Sequence, residues 1–143
     1  GCGVPVGAFL MTEKVGANSL VAGDHGTTYG GNPLAGKAID TVLSIFEEEH
    51  IVDNARVVGE YLTEKLDELV AECPSIIERR GIGLMQGLVF DKPVADVINK
   101  ALEEGLVLIN AGSNIIRMIP PLIITKEHVD DMISIFRKCV ENV

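Results

Sequence analysis

The chain has 143 residues, 47% apolar and 23% charged, with a formal net charge of −9. That apolar share supports a folded domain with a real core, and the acidic balance disfavours nucleic acid and anionic membranes as partners. No secretory signal pattern is visible, the apolar runs are too short to span a bilayer, and Cys2, Cys73 and Cys139 lack CxxC spacing, so a disulfide framework or metal site is not expected and a reducing cytoplasm fits.

In chain order, Val4 to Met11 is a mostly apolar run that reads as a buried strand or strand end. Thr12 to Ser19 is a polar connection with room for a helical turn, and a glycine-rich loop follows. From Pro33 to about Glu49 the apolar residues Ala35, Ala38, Ile39, Val42, Leu43 and Phe46 recur at helical spacing, which predicts one buried face. A second helix runs from about Val52 to Glu72 on Ala55, Val58, Leu62, Leu66, Leu69 and Val70, with Pro74 as its stop. It is long enough to lead from one domain into another.

Ile76 to Arg80 and Leu84 to Phe90 read as strands around Gly81-Ile82-Gly83. Pro93 to Glu104 reads as a helix ended by Gly105. Leu106 to Ile109 and Ile115 to Ile119 read as strands joined by a turn over residues 110–114, and Thr125 caps a last helix with Val129, Met132, Ile133, Phe136 and Val140 inward. This order predicts an α+β sandwich with helices on one sheet face.

The segment Gly23-Asp24-His25-Gly26-Thr27-Thr28-Tyr29-Gly30-Gly31-Asn32-Pro33 is the densest in chemistry. Glycines let main-chain N–H groups approach an oxyanion, adjacent hydroxyls add donors, and Asn32 with Pro33 opens a helix. A glycine-rich loop before a helix N-terminus suits an anion. A flexible connection with a good helix cap would carry the same residues. Arg117 is out of pattern among Ile115, Ile116, Met118 and Ile119; its planar fork suits a carboxylate, although it also fits a partly exposed sheet face. Arg79 and Arg80 beside glycines are read as partners of acidic helix residues rather than an anion site, and His25 as a loop-packing residue rather than an acid–base group. Cys2, Asp24 and His25 do not make a metal motif, and Lys37, nearest the glycine loop, is read as part of a solvated helix face.

His25 to Ala35, with its sequence HGTTYGGNPLA, resembles a segment of the class III aminotransferases of the ornithine and acetylornithine type, which use pyridoxal phosphate. Gly1 to Ala8, Arg80 to Met85 and Asn114 to Leu122 resemble three further blocks of that family, in family order, so the likeness covers essentially the whole chain. It implies the small C-terminal domain of a fold type I enzyme over residues 51–143 and the tail of its large cofactor domain over residues 1–50. Thr28, with Thr27 as second choice, would contact the cofactor phosphate of the opposite subunit, and Arg117 would hold the substrate carboxylate.

The resemblance also implies that the lysine forming the Schiff base lies a few residues before Gly1. None of the chain's seven lysines stands in that context, so no catalytic residue is assigned and the isolated chain is expected to be inactive. The implied parent is a cytoplasmic homodimer that moves an amino group between N-acetylornithine and 2-oxoglutarate in arginine biosynthesis. Residues 105–110 look like the acetylornithine subgroup, with ornithine or another ω-amino acid as the alternative donor. Outside the enzymes, a non-catalytic amino-acid-binding or dimerisation module of α+β type remains the competing reading.

Overall fold

The computed structural model describes residues 3–140; Gly1 and Cys2, at the start of the first family-like block, lie outside them. The chain forms two compact units, Gly1–His50 and Ile51–Val143. Among the described residues no helix is long and apolar enough to cross a membrane.

Among its described residues the first unit carries two helices. α1 spans Glu13–Ser19, longer than the single turn expected, because the Thr12 hydroxyl caps it by accepting the Val15 N–H at 3.4 Å. α2 spans Pro33–Glu48 with Pro33 in its first turn, and Asn32 Oδ1 accepts the Ala35 N–H at 2.9 Å, as the Asn-Pro signal predicts. Its expected buried face is only partly realised: Ala35 is buried, Ala38, Ile39, Val42 and Phe46 are half-buried, and Leu43 is exposed. Val4 to Met11 forms no strand, a correction to the sequence reading. An apolar run becomes a strand only with a ladder partner, and among the described residues no main-chain hydrogen bond reaches Val4 to Met11.

The second unit is an α+β layer built on α3, Ile51–Glu72. Its inward residues Val58, Leu62, Leu66 and Leu69 are nearly inaccessible, and they follow the predicted helical period. The four-stranded sheet consists of β1 (Ile76–Ile82), β2 (Met85–Phe90), β3 (Ile109–Asn110) and β4 (Ile115–Met118), in the spatial order β1-β2-β4-β3 with every pair antiparallel. Leu88, Phe90, Ile116 and Met118 join the core with Val94, Val97 and Ala101 of the α4 region and with Val129, Ile133 and Phe136 of α5.

α4 spans Ala95–Glu103 and α5 spans Lys126–Val140. α4 starts two residues later than the sequence suggests: Val94 acts as the cap, and its N–H donates to Ser113 O at 3.0 Å. The strand expected over Leu106 to Ile109 shrinks to Ile109–Asn110. Gly105, at φ 85°, closes α4, and the Leu106 N–H turns back to Ala101 O at 2.7 Å instead of entering a ladder.

The β1–β2 hairpin lies close against α3. A Cβ placed on Gly59 would come within 2.6 Å of the Gly83 main chain, so only glycine permits this approach. Gly81, at φ 136°, faces the Met85 carbonyl so closely that a Cβ would meet it at 2.2 Å. These glycines serve the packing of hairpin against helix.

Candidate functional site

The glycine loop belongs to the first unit. Asp24 is spent on the turn that begins it, since its Oδ2 accepts the Val21 N–H at 2.9 Å. His25 packs edge-on against Phe9, with ring centroids 5.7 Å apart, which matches the loop-packing reading. Asn32 locks the far end by donating from Nδ2 to Tyr29 O at 2.9 Å while it caps α2.

Between these anchors the main-chain N–H groups of His25 to Tyr29 find no acceptor among the described residues. The Thr27 hydroxyl lies over Gly30, where a Cβ would meet it at 2.6 Å. Glycine at 30 thus leaves room for that hydroxyl. The Thr28 hydroxyl is exposed and makes no hydrogen bond among the described residues. Free N–H groups, two hydroxyls and a following helix N-terminus form a donor set that fits a phosphate dianion.

Arg117 stands on β4 in the second unit. Its neighbours Ile116 and Met118 point into the core, which fixes the strand and leaves the Arg117 side chain on the exposed sheet face. The register places it opposite Gly87 of β2 on one side and Ile109 of β3 on the other. The chain leaves β4 through Pro120 and Pro121, and Asn54 of α3 holds that exit by donating to Leu122 O at 2.8 Å and Ile124 O at 3.1 Å. A mostly apolar hollow of about 450 Å³ has Arg117, Ile109, Pro120, Ile124 and Met132 in its wall.

The other four arginines have acidic partners. Arg56 pairs with Asp53 and Glu60 on α3, Arg80 with Glu78, and Arg137 with Glu72. Arg79 forks onto Asp67 at 2.7 and 3.2 Å, as its helix-partner reading anticipates, and also reaches Gln86 Oε1 at 3.0 Å. Gln86, 1% exposed, then donates to Gly83 O at 2.6 Å and Thr63 Oγ1 at 3.2 Å, completing a buried link between hairpin and helix. No local pattern announces Gln86, because its role depends on three separate segments. Arg117 alone among the arginines makes no hydrogen bond or ion pair with the described residues.

The lysines give no comparable site. Lys37 bonds Asp40 at 2.6 Å on the α2 surface, and that hydrogen bond, with the lysine's charge, lowers the Asp40 pKa below the usual carboxylate range. Lys65 bonds Glu68, which raises the lysine pKa, and both Lys65 and Lys126 lie over the Tyr61 ring. Among the described residues no group of three or more His, Cys, Asp or Glu is placed to hold a metal ion.

A profile of the class-III aminotransferases matches residues 1–140. The chain is 40% identical to the mitochondrial acetylornithine aminotransferase of Yarrowia lipolytica over 143 residues, which is 99% of this chain and 34% of that protein. It is 44% identical to the acetylornithine aminotransferase of Aquifex aeolicus over 138 residues, covering 96% of this chain and 35% of the relative. The chain therefore spans about a third of the length of the curated relatives it matches. Among solved structures, ornithine δ-aminotransferase of Plasmodium falciparum superposes with a TM-score of 0.80 at 34% identity, covering 86% of this chain and 33% of that one. Acetylornithine aminotransferase of Elizabethkingia anophelis gives a TM-score of 0.78 at 28% identity over 87% of this chain and 32% of its own.

Proposed function

Because this chain belongs to the class-III aminotransferase family, we propose that it supplies the C-terminal portion of a pyridoxal-phosphate enzyme that moves an amino group between N-acetylornithine and 2-oxoglutarate. Ornithine is the alternative donor, supported by the likeness to an ornithine δ-aminotransferase. In this reading residues 1–50 end the large cofactor domain and residues 51–143 form the small substrate domain of a cytoplasmic homodimer serving arginine biosynthesis.

The observation that carries the reading is the guanidinium of Arg117, which has no partner among the described residues and is held on a strand whose flanking side chains are buried. A carboxylate is the partner that its fork fits best, through two parallel bonds. When bound, pyridoxal phosphate supplies the electron sink for amino-group transfer. Thr28, with Thr27 and the free loop N–H groups, would hold its phosphate. Arg117 would fix the substrate's carboxylate, and the stiff Pro120–Pro121 exit keeps that strand from shifting. Orientation of this kind lowers the barrier by removing freedom before reaction. No lysine here is assigned a proton-transfer role; the nearest in sequence to the glycine loop, Lys37, is ion-paired on an exposed helix surface.

The test is a pair of substitutions in the complete enzyme. Arg117→Ala should lower kcat/KM about 30- to 1000-fold, equivalent to roughly 2–4 kcal/mol, while cofactor retention on dialysis is spared. Thr28→Val should do the reverse, loosening the cofactor more than it harms substrate use. Efficiency within about threefold of wild type for Arg117→Ala would remove the carboxylate assignment.

A further inference from the structure

β4 loses its support just past Arg117. Arg117 is paired on both sides, with Gly87 and with Ile109, but Met118 is paired with Gln86 alone. From Ile119 onward the strand has no ladder partner among the described residues. Pro120 and Pro121 follow, and neither has an N–H to donate. The segment turns once, with the Ile124 N–H donating to Pro121 O at 3.3 Å, before α5 begins.

This weakly supported exit runs along an apolar void. Pro120, Pro121 and Ile124 line the hollow of about 450 Å³ together with Met132 of α5, while Ile119, Leu122 and Ile123 are exposed. Apolar groups beside an apolar space gain contact and lose water by moving into it. Hydrophobic attraction therefore draws the exit inward.

Asn54 opposes that movement. From the first turn of α3 its Nδ2 donates to Leu122 O at 2.8 Å and to Ile124 O at 3.1 Å. The next turns of α3 are fixed in the core through Val58 and Leu62, so the tie ends on a rigid element. Both partners are carbonyl oxygens, and the contact needs two N–H donors on one short side chain. Aspartate has the same shape and, when ionised, no donor.

We infer that Asn54 is a positioning residue for Arg117: by tying the exit of β4 to α3 it keeps residues 119–122 out of the hollow and holds the Arg117 guanidinium where a substrate carboxylate meets it. Asn54 acts through the strand and touches no substrate. The inference rests on the reading of Arg117 as a carboxylate ligand. Misplacing a positioned group by about 1 Å costs about 100-fold. Arg117 keeps its two ladder partners, so the displacement is partial and a loss of about 5- to 30-fold is expected.

The experiment compares two amino donors in single turnovers of the complete enzyme: N-acetylornithine and its decarboxylated analogue, N-acetyl-1,4-diaminobutane. Asn54→Ala, favourable in a helix, and Asn54→Asp, matched in shape, should both lower kcat/KM for N-acetylornithine by that factor and change the analogue less than about twofold. In an Arg117→Ala background the Asn54 effect should vanish, because both changes act on one contact. In the 143-residue chain, Asn54→Asp should strengthen nuclear Overhauser contacts between the Pro120 ring and the Met132 methyl as the exit enters the hollow. Equal losses for both donors, losses that add in full to that of Arg117→Ala, or unchanged Pro120–Met132 contacts would overturn the role of Asn54 and leave Arg117 standing. If Arg117→Ala itself stays within about threefold of wild type, the carboxylate reading falls and the inference with it.

Discussion

Replacing Gly59 by alanine sets two physical effects against each other. Gly59 lies inside α3, where alanine is favoured over glycine by about 1 kcal/mol on helix propensity alone. The new Cβ, however, would lie 2.6 Å from both Cα and the carbonyl carbon of Gly83, and ordinary contact begins at 3.4 Å. The hairpin turn would have to retreat by roughly 0.8 Å, the difference between these distances. It is poorly placed to do so. Gly83 O is held by Gln86 Nε2 at 2.6 Å, and Gly81 and Gly83 both occupy left-handed φ.

Overpacking of this kind costs about 1–3 kcal/mol, and the obstruction here is main chain rather than a flexible side-chain end. Against the propensity gain, the net expectation is a loss of up to about 2 kcal/mol. For a domain of this size that corresponds to a fall in Tm of up to roughly 15 °C. Gly36 of α2 is the control, because a Cβ there meets nothing within 4 Å. Gly36→Ala should therefore slow amide exchange locally in α2. Urea unfolding followed by circular dichroism gives the Gly59 value. A Gly59→Ala chain more stable than wild type would refute the close approach of hairpin and helix.

Cys139 is fully buried, and burial raises its thiol pKa, so it should resist alkylation at pH 8 until the chain unfolds, whereas half-buried Cys73 should react in the native state; peptide mass spectrometry distinguishes them. The Glu127 carboxyl pKa is lowered, chiefly by the Thr125 side chain and then by a main-chain hydrogen bond, so its contribution to stability is present above the unfolded carboxyl pKa and lost as pH falls through the folded one. Thr125→Val should move the Glu127 titration upward, measured by carbon-13 chemical shift against pH, and a titration that stays put would remove that hydrogen bond. The amides of Val4 to Met11, which no main-chain bond among the described residues protects, should exchange far faster than those of Leu88 and Ile116.

What the sequence makes legible is set by the distance over which a signal acts. α3 is readable because its apolar residues recur every turn, and the start of α2 is readable because Asn32 and Pro33 act within three residues of themselves. Val4 to Met11 is misread because apolar composition cannot supply a ladder partner. Leu106 is misread because its N–H is claimed by Ala101, at the end of the preceding helix. In each case a main-chain hydrogen bond, made or missing, decides the outcome.

The candidate site divides along the same line. Arg117 is conspicuous as a charge among isoleucines, yet residue type alone cannot separate it from Arg79, which is also flanked by strand residues. The separation comes from partners: Asp67, twelve residues upstream on α3, neutralises Arg79, and no described residue does the same for Arg117. The pairing of Arg117 with Gly87 lies further still from sequence, since β2 and β4 are adjacent only after the chain has passed through α4 and β3. A one-residue slip of that register would send the Arg117 side chain to the core side and Ile116 to the surface. The buried packing of Ile116 and Met118 therefore does more than stabilise the sheet: it determines which face carries the guanidinium, and so whether an anion can reach it at all.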